Sequence, residues 1–253
     1  MSVSDLTTLD KPNLKVLSTT TSTNDAAREW LNSGAPDGAT LVADYQTAGR
    51  GRLGRQWHSP RGLDLTLSMI FIAPIESLRL VPLLGGLAVR AAVEEFLPPV
   101  IVPQIKWPND ILASGFKLAG VLAELISQPV SAAILGIGVN LNTRAGDFPA
   151  DLRRPAASLG MLRGKAVKRD QFLESVLFHL KAYRKMWFQT PRSLVTTFSA
   201  NCLTLGKKVK VSPPGREPFE ATASGVDPFG TLMVVDRKGT TIPVEAGDVD
   251  PVD

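Results

Sequence analysis

Apolar positions along the chain follow two periods in turn. Leu80, Leu84, Leu87, Ala88 and Ala91 recur at helical spacing and stop at Pro98 and Pro99, which predicts an amphipathic helix with one stripe facing a core. A second stripe, Phe172, Leu173, Val176, Leu177, Leu180 and Tyr183, predicts a helix over about 169–188. A shorter helix over about 24–33 follows from its ends: Ser22 and Thr23 are helix-start residues, Asp25 falls in the first turn and Gly34 is placed to end it. Runs of β-formers bounded by Gly, Pro and Asp predict strands at 39–45, 63–73, 101–107, 117–126 and 131–141, the last two joined as a hairpin around Gln128-Pro129. From about residue 204, short alternating segments such as KKVKV, FEATASGV, TLMVVD and TTIPVE are separated by turn sequences, predicting a small all-β barrel of about 50 residues. The sum is an α+β chain with a principal domain over 1–200 and a small one over 201–253.

Composition narrows the function classes. With 44% hydrophobic and 21% charged residues in 253, the chain has the make-up of a folded domain and not of a disordered one. Its most apolar run, Leu65 to Ile75, contains Thr66, Ser68 and Pro74, so nothing approaches the roughly 18 continuous apolar residues of a membrane span. The first residues, MSVSDLTTLDKP, show neither the basic nor the apolar part of a secretion signal. One cysteine, Cys202, and two histidines give no internal disulfide and no dedicated His/Cys zinc site. These features predict a reduced, cytoplasmic chain. An excess of 28 Lys and Arg over 24 Asp and Glu, a formal charge of +4, suits anionic partners without demanding nucleic acid.

Four constellations could carry chemistry. GRGRLGR (49–55) lies between two predicted strands, preceded by Tyr45-Gln46 and followed by Trp57, with arginines at 50, 52, 55 and 61. Glycines let the backbone fold tightly round an anion while guanidinium forks bind phosphate or carboxylate; a solvated loop and an arginine-rich RNA-binding arm are the competing readings. The tract is neither a P-loop nor a dinucleotide fingerprint, because it precedes a strand and does not open a helix. KWPND (106–110) places Asn109 and Asp110 in a turn at a strand end, where Lys106 could meet a phosphate and Asp110 a magnesium ion, or where an Asx turn simply carries a surface lysine. Strict alternation puts Lys117 on the face of Ala119, Val121, Ala123 and Leu125, a cation heading an apolar row. In GIGVNLN (136–142) the same period sets Gly136, Gly138, Asn140 and Asn142 on one face, open to a flat ligand that Asn140 can hydrogen-bond, unless the glycines mark a bulge. One chemistry uses all four: attack of a carboxylate on the α-phosphate of ATP. It needs positive charge and Mg²⁺ but no Ser, Cys or His nucleophile.

In order along the chain, STN (22–24), YQTAGRGRLGR-x-W (45–57), KWPND (106–110), KLAG (117–120) and GIGVNLN (136–142), followed by a small barrel, resemble the biotin protein ligase family from about Ser18 to the C-terminus. The resemblance implies a mixed sheet flanked by helices, of class II synthetase type, with an SH3-like domain behind it. It implies a reaction in which biotin and ATP give biotinyl-5′-AMP and pyrophosphate, and a lysine of a biotin carboxyl carrier protein, that of acetyl-CoA carboxylase or a related carboxylase, then takes the biotinyl group. Carried over by residue, Ser22, Thr23, Asn24, Gln46, Gly49, Arg50, Gly51, Arg52, Lys117 and Gly120 would bind biotin. Arg52, Arg55, Trp57, Lys106, Asn109, Asp110 and Asn140 would serve ATP and the adenylate; Lys117, Arg50 and Asp110 would be catalytic, and Asp110 the candidate magnesium ligand. Only about 17 residues precede the matching region, which is short of the helix-turn-helix that bifunctional members carry, so no DNA binding is expected. No membrane partner is expected, and homodimerisation is left open. Lipoate and octanoate transferases resemble the same fold and share a lysine near a KxxG segment, but lack GRGRxGR and KWPND. An Arg/Gly RNA-binding protein would explain the basic loop and leave Lys117 and the glycine-faced strand without a purpose.

Overall fold

A computed structural model describes residues 13–128 and 130–252. Pro129, half of the expected hairpin turn, lies outside the described residues, as does the segment 1–12 that was read for a secretion signal. The chain runs β1 (Leu14–Leu17), α1 (Thr23–Asn32), β2 (Thr40–Ala43), β3 (Leu65–Ile72), α2 (Ile75–Leu78), α3 (Val81–Phe96), β4 (Gln104–Lys106), β5 (Asp110–Ala113), β6 (Phe116–Ile126), β7 (Ala132–Val139), α4 (Leu159–Arg163), α5 (Arg169–Gln189), α6 (Pro191–Ala200), β8 (Lys208–Ser212), β9 (Phe219–Val226), β10 (Leu232–Val235), β11 (Thr241–Val244) and β12 (Asp248–Pro251).

Seven strands form one sheet in the order β1-β2-β3-β7-β6-β5-β4. Only β1 and β2 pair in parallel; the other pairs are antiparallel. Its centre is buried on both faces, which is why β3 reads as a nearly continuous apolar run. On one face Leu65, Leu67, Met69 and Phe71 join Leu135, Ile137, Ala119 and Val121 beneath α3 and α5. On the other, Ile70, Ile126 and Ile134 pack against Ala27 and Leu31 of α1. That second cluster is small, and along β3 it gives way to Thr66 and Ser68, which stand opposite Gly138 and Gly136 of β7. A polar, hollowed patch is left on the sheet beside the N-terminus of α1.

The remaining strands form a five-stranded antiparallel sheet, β11-β10-β9-β8-β12. This is the small all-β unit expected at the C-terminus, its ladder running between the edge strands β11 and β12 without closing on itself; a register shift between β9 and β10 bends it. Trp107 of KWPND joins the two sheets. Its backbone N–H donates to Thr204 Oγ1 (3.0 Å) and its indole N–H to Gly230 O (3.4 Å). No described helix is long and apolar enough to cross a membrane.

Five elements were not anticipated, among them the short helices α2 (Ile75–Leu78) and α4 (Leu159–Arg163). β1 is four residues with a lysine among them, α6 directly follows α5 through Thr190-Pro191, and β5 begins at Asp110, so KWPND is the turn of a tight β4–β5 hairpin. The expected alternation at Lys117 is also corrected. Between β5 and β6, Ile111 faces Ala119 while Leu112 faces Lys117, so one extra residue, Leu118, is accommodated in β6. That bulge turns Lys117 off the apolar Ala119/Val121 face and onto the face of Gly120, where its Nζ lies 3.5 Å from the position a Cβ would take.

Candidate active site

The hollowed patch opens into a cavity of about 540 Å³, within the range of small-molecule sites. Ser22, Thr23, Asn24, Gln46, Arg50, Gly51, Arg52, Arg55, Trp57, Lys106, Asn109, Asp110, Lys117, Gly120 and Asn140 all line it. Of the predicted residues only Gly49 does not. Its backbone packs against Trp57, whose carbonyl would lie 2.6 Å from an added Cβ.

One end of the cavity is made by the start of α1. Ser22 caps the helix, its Oγ accepting from the Asn24 N–H (3.3 Å). The Thr23 N–H and hydroxyl donate to Gln46 Oε1 at 2.7 and 3.1 Å. Beneath them the buried Ser68 Oγ lies 2.8 Å from Thr23 Oγ1 and 2.6 Å from Asn24 Oδ1. Sequence reasoning missed Ser68; the signal was a hydroxyl at period two from Thr66 in an otherwise apolar strand. Asn24 Nδ2 is buried without a partner, a donor that a polar ligand would satisfy.

The glycines of β6 and β7 have particular occupants. A Cβ on Gly136 would lie 2.4 Å from Asn24 Oδ1, and one on Gly138 2.4 Å from Trp57 Cε2. The Trp57 ring extends over Gly120 as well, 3.1 Å from its Cβ position. The flat group that these glycines admit here is therefore the indole of Trp57, whose own N–H is buried and unpartnered. Lys117 Nζ lies 5.7 Å from a Trp57 ring centroid and pairs with Asp110 Oδ1 at 2.6 Å.

The glycine-arginine segment is a folded strap. Arg50 and Gln56 bridge, the Trp57 N–H donates to Gly49 O (2.9 Å), and Leu53 and Gly54 turn the chain in the left-handed region at φ 56° and 74°. Arg50 reaches α1 and β6, with Nη1 2.7 Å from Asp25 and Nη2 3.0 Å from Glu124. Burial lowers its guanidinium pKa, but these two acids outweigh it and leave the group above its ordinary value. Arg52 points the other way and donates to Gly247 O (3.2 Å).

The opposite end is strongly cationic. Arg55 and Arg153 pair with Asp248, and Arg153, Arg154 and Lys106 pair with Asp250, the last at 3.1 Å. Lys106 is 5% exposed; burial and then Arg154 hold its ammonium below the ordinary lysine range. Burial would raise both aspartates, yet the surrounding cations hold them below the usual carboxylate range. Arg153, Arg154, Asp248 and Asp250 were not predicted, because no local pattern links them to residues a hundred positions away. Asn109 and Asn140 serve the framework: Asn109 Nδ2 donates to Val121 O (2.8 Å), and Asn140 Nδ2 to Ala157 O (3.2 Å). No group of three potential metal ligands occurs among the described residues.

A polar pocket and a cationic pocket, joined at a lysine–aspartate pair, suit a substrate with a polar head whose carboxylate meets a polyphosphate at Lys117. A family model described as the biotin/lipoate A/B protein ligase family matches residues 16–142. The chain is 37% identical over 244 residues to the biotin–[acetyl-CoA-carboxylase] ligase of Mycobacterium tuberculosis, covering 93% of this chain and 88% of the relative. Its fold is similar to that of the biotin protein ligase from Aquifex aeolicus in complex with biotin and ATP, with a TM-score of 0.77 at 30% identity over 95% of this chain and 98% of the other. The Leishmania major biotin protein ligase in complex with biotinyl-5-AMP is similar over 94% of this chain and all of that one, with a TM-score of 0.65 at 28% identity.

Proposed function

The chain belongs to the biotin/lipoate A/B protein ligase family, and from that premise we propose that it is a biotin–[acetyl-CoA-carboxylase] ligase. It activates biotin with ATP to biotinyl-5′-AMP and transfers the biotinyl group to a lysine of a biotin carboxyl carrier protein. The observation that carries this reading is the junction of the cavity, where Lys117 stands between the Thr23/Asn24/Gln46 pocket and the Arg55/Lys106/Arg153/Arg154 cluster. Biotin's ureido group is neutral, polar and flat, which matches a pocket of amide, hydroxyl and backbone groups with an unpartnered Asn24 amide. Its valeryl chain runs past the Trp57 indole, which covers Gly138 and Gly120, to bring the carboxylate to Lys117.

In the first step a carboxylate oxygen attacks the α-phosphorus of ATP. An oxygen–phosphorus bond forms, the bond to the β-phosphate oxygen breaks, and pyrophosphate leaves. The substrate supplies the nucleophile, so the protein's task is charge: Lys117 exchanges Asp110 for the substrate carboxylate and the developing phosphorane, while Arg52, Arg55, Lys106 and Arg154 face the departing phosphates. In the second step the neutral amine of the acceptor lysine attacks the acyl carbon: the C–N bond forms, the bond from the acyl carbon to the phosphate oxygen breaks, AMP leaves, and the nitrogen gives up a proton to solvent. Until then the strap formed by residues 49–57 keeps water from the mixed anhydride. Asp110 would be the chain's carboxylate toward Mg²⁺, which would neutralise charge on the polyphosphate.

The test is biotin-dependent exchange of labelled pyrophosphate into ATP in the presence of Mg²⁺, with lipoate and octanoate as controls. Exchange with biotin alone is expected. Exchange with lipoate instead would move the chain to the other branch of its family, and no exchange with any of the three acids would overturn the reading.

A further inference from the structure

The 143–156 loop supplies Phe148, Pro149, Asp151, Leu152, Arg153 and Arg154 to the cationic end of the cavity. It contains no long element of its own, only a turn of 3-10 helix over Ala145–Asp147, so its course depends on how its two ends are held. The returning end is tied to Lys117: the Lys117 N–H donates to Pro155 O (2.9 Å) and the Ala157 N–H to Lys117 O (3.2 Å). The departing end is tied to a residue far away in sequence. Asp64, 2% exposed at the foot of β3, accepts at Oδ1 from three successive backbone N–H groups, Leu141 (2.9 Å), Asn142 (3.3 Å) and Thr143 (3.2 Å). Its Oδ2 accepts from the Thr143 hydroxyl at 2.5 Å and from the Ser59 hydroxyl at 3.4 Å. Three converging amides make a small anion nest, and in this chain a carboxylate side chain fills it.

We infer that Asp64 is a positioning residue for the nucleotide half of the site: by fixing the turn 141–143 it sets where Arg153 and Arg154 stand relative to Lys106 and Arg55. This rests on the ligase reading above and adds to it a residue that touches no substrate. Two further observations fit that role. Asp64 is itself held from behind, since Arg169 Nε donates to its backbone carbonyl (3.0 Å) while Arg169 Nη1 bonds Asp44 (2.6 Å) in a fully buried pair. The nest also lies one residue beyond Asn140, whose amide holds Ala157 O at the loop's return. Asp64 has no hydrogen bond to Ser22, Thr23, Asn24, Gln46 or Ser68 at the polar end. Burial pushes the Asp64 carboxyl pKa up, and the Thr143 hydroxyl and the three amides draw it back only in part. Replacing the carboxyl by an apolar group of like size would leave three amides unpaired, and the turn would relax to satisfy them.

The decisive comparison is between Asp64→Leu, which cannot accept, and Asp64→Asn, whose Oδ1 still can. In the exchange assay with the full chain, Asp64→Leu is expected to raise KM for ATP about tenfold or more while KM for biotin stays within about twofold, and Asp64→Asn to recover most of the loss. Calorimetric titration with biotin and with pyrophosphate separately gives a binding readout of the same split. Should Asp64→Leu not fold, Thr143→Val, which removes the shorter of the two hydroxyl bonds to Oδ2, is expected to shift KM for ATP in the same direction by about threefold. Equal losses for ATP and biotin, or no rescue by Asn, would make Asp64 a general stability residue and overturn the inference. A parent protein that shows no biotin-dependent exchange would instead overturn the ligase reading, so the two failures are distinct.

Discussion

Lys117 is the residue at which the two halves of the cavity meet, and its partner states the problem it solves. With Nζ 2.6 Å from Asp110 and the side chain about a quarter exposed, the ammonium is paired but accessible, ready to trade one carboxylate for another. Its charge matters most when negative charge builds on the phosphorus. Lys117→Ala is therefore expected to slow pyrophosphate exchange by about 10²–10³ and transfer from supplied biotinyl-5′-AMP by less than tenfold; equal losses in the two half-reactions would refute that division. Gly138 makes a second residue-scale case. Its replacement by alanine puts a methyl 2.4 Å from Trp57 Cε2, and a rigid indole wedged between strap and sheet cannot yield as a flexible chain end would. A double-mutant cycle of Gly138→Ala with Trp57→Ala should show a coupling of at least about 1 kcal/mol in unfolding free energy, whereas additivity would mean that the ring moves aside freely. The candidate residues were legible because each motif is local, but what they do to one another was less so. Spacing marked Gly136 and Gly138 as a bare face without revealing Asn24 and Trp57 as its occupants, and strict alternation placed Lys117 on the wrong face because a bulge at Leu118 leaves no mark in an apolar run.

At the scale of elements, the long periodic segments were readable, as were short strands bounded by turn residues such as β2, β10 and β11, whereas other short elements were not. α3 buries its stripe against the sheet and α5 buries its own against α3, and that repetition is the signal. β1 and β5 are four residues apiece and exist because a neighbouring strand completes them, a tertiary cause that has no local trace. The strap over residues 49–57 belongs to this scale as well. It is fixed by contacts at its ends and not by a core: Arg50 to Asp25 and Glu124 on one side, Arg52 to Gly247 on the other. Exposed pairs of this kind contribute only about 0.2–1 kcal/mol each, enough together to bias an open–closed equilibrium without locking it. Removing both acids, Asp25→Asn with Glu124→Gln, is expected to speed release of biotinyl-5′-AMP by about tenfold in a stopped-flow chase. The difference from the parent should shrink at high salt, since screening removes the same pairs. A release rate equal to that of the parent at low salt would show that the strap is held by Trp57 packing alone.

Across the whole molecule, the second sheet meets the first through charge as well as through Trp107. Four cations of the first sheet and its loops, Arg55, Lys106, Arg153 and Arg154, converge on two carboxylates of the edge strand β12. An edge strand with unpaired backbone is a natural liability, and here the four cations engage its carboxylates. Because Asp248 and Asp250 are held below the usual carboxylate range in the fold, they contribute stability that is complete above the pKa of an unfolded aspartate and is lost as pH falls through the depressed folded value. Asp248→Asn with Asp250→Asn should therefore lower Tm by several degrees at pH 7. That deficit should narrow progressively below about pH 4, where the parent's own carboxylates begin to protonate. Scanning calorimetry of both proteins between pH 7 and 3 measures it directly. A deficit that stays constant over that range would mean that the two aspartates hold the sheets together as hydrogen-bond acceptors and not as charges, and the cationic end of the cavity would then owe its spacing to the 143–156 loop alone.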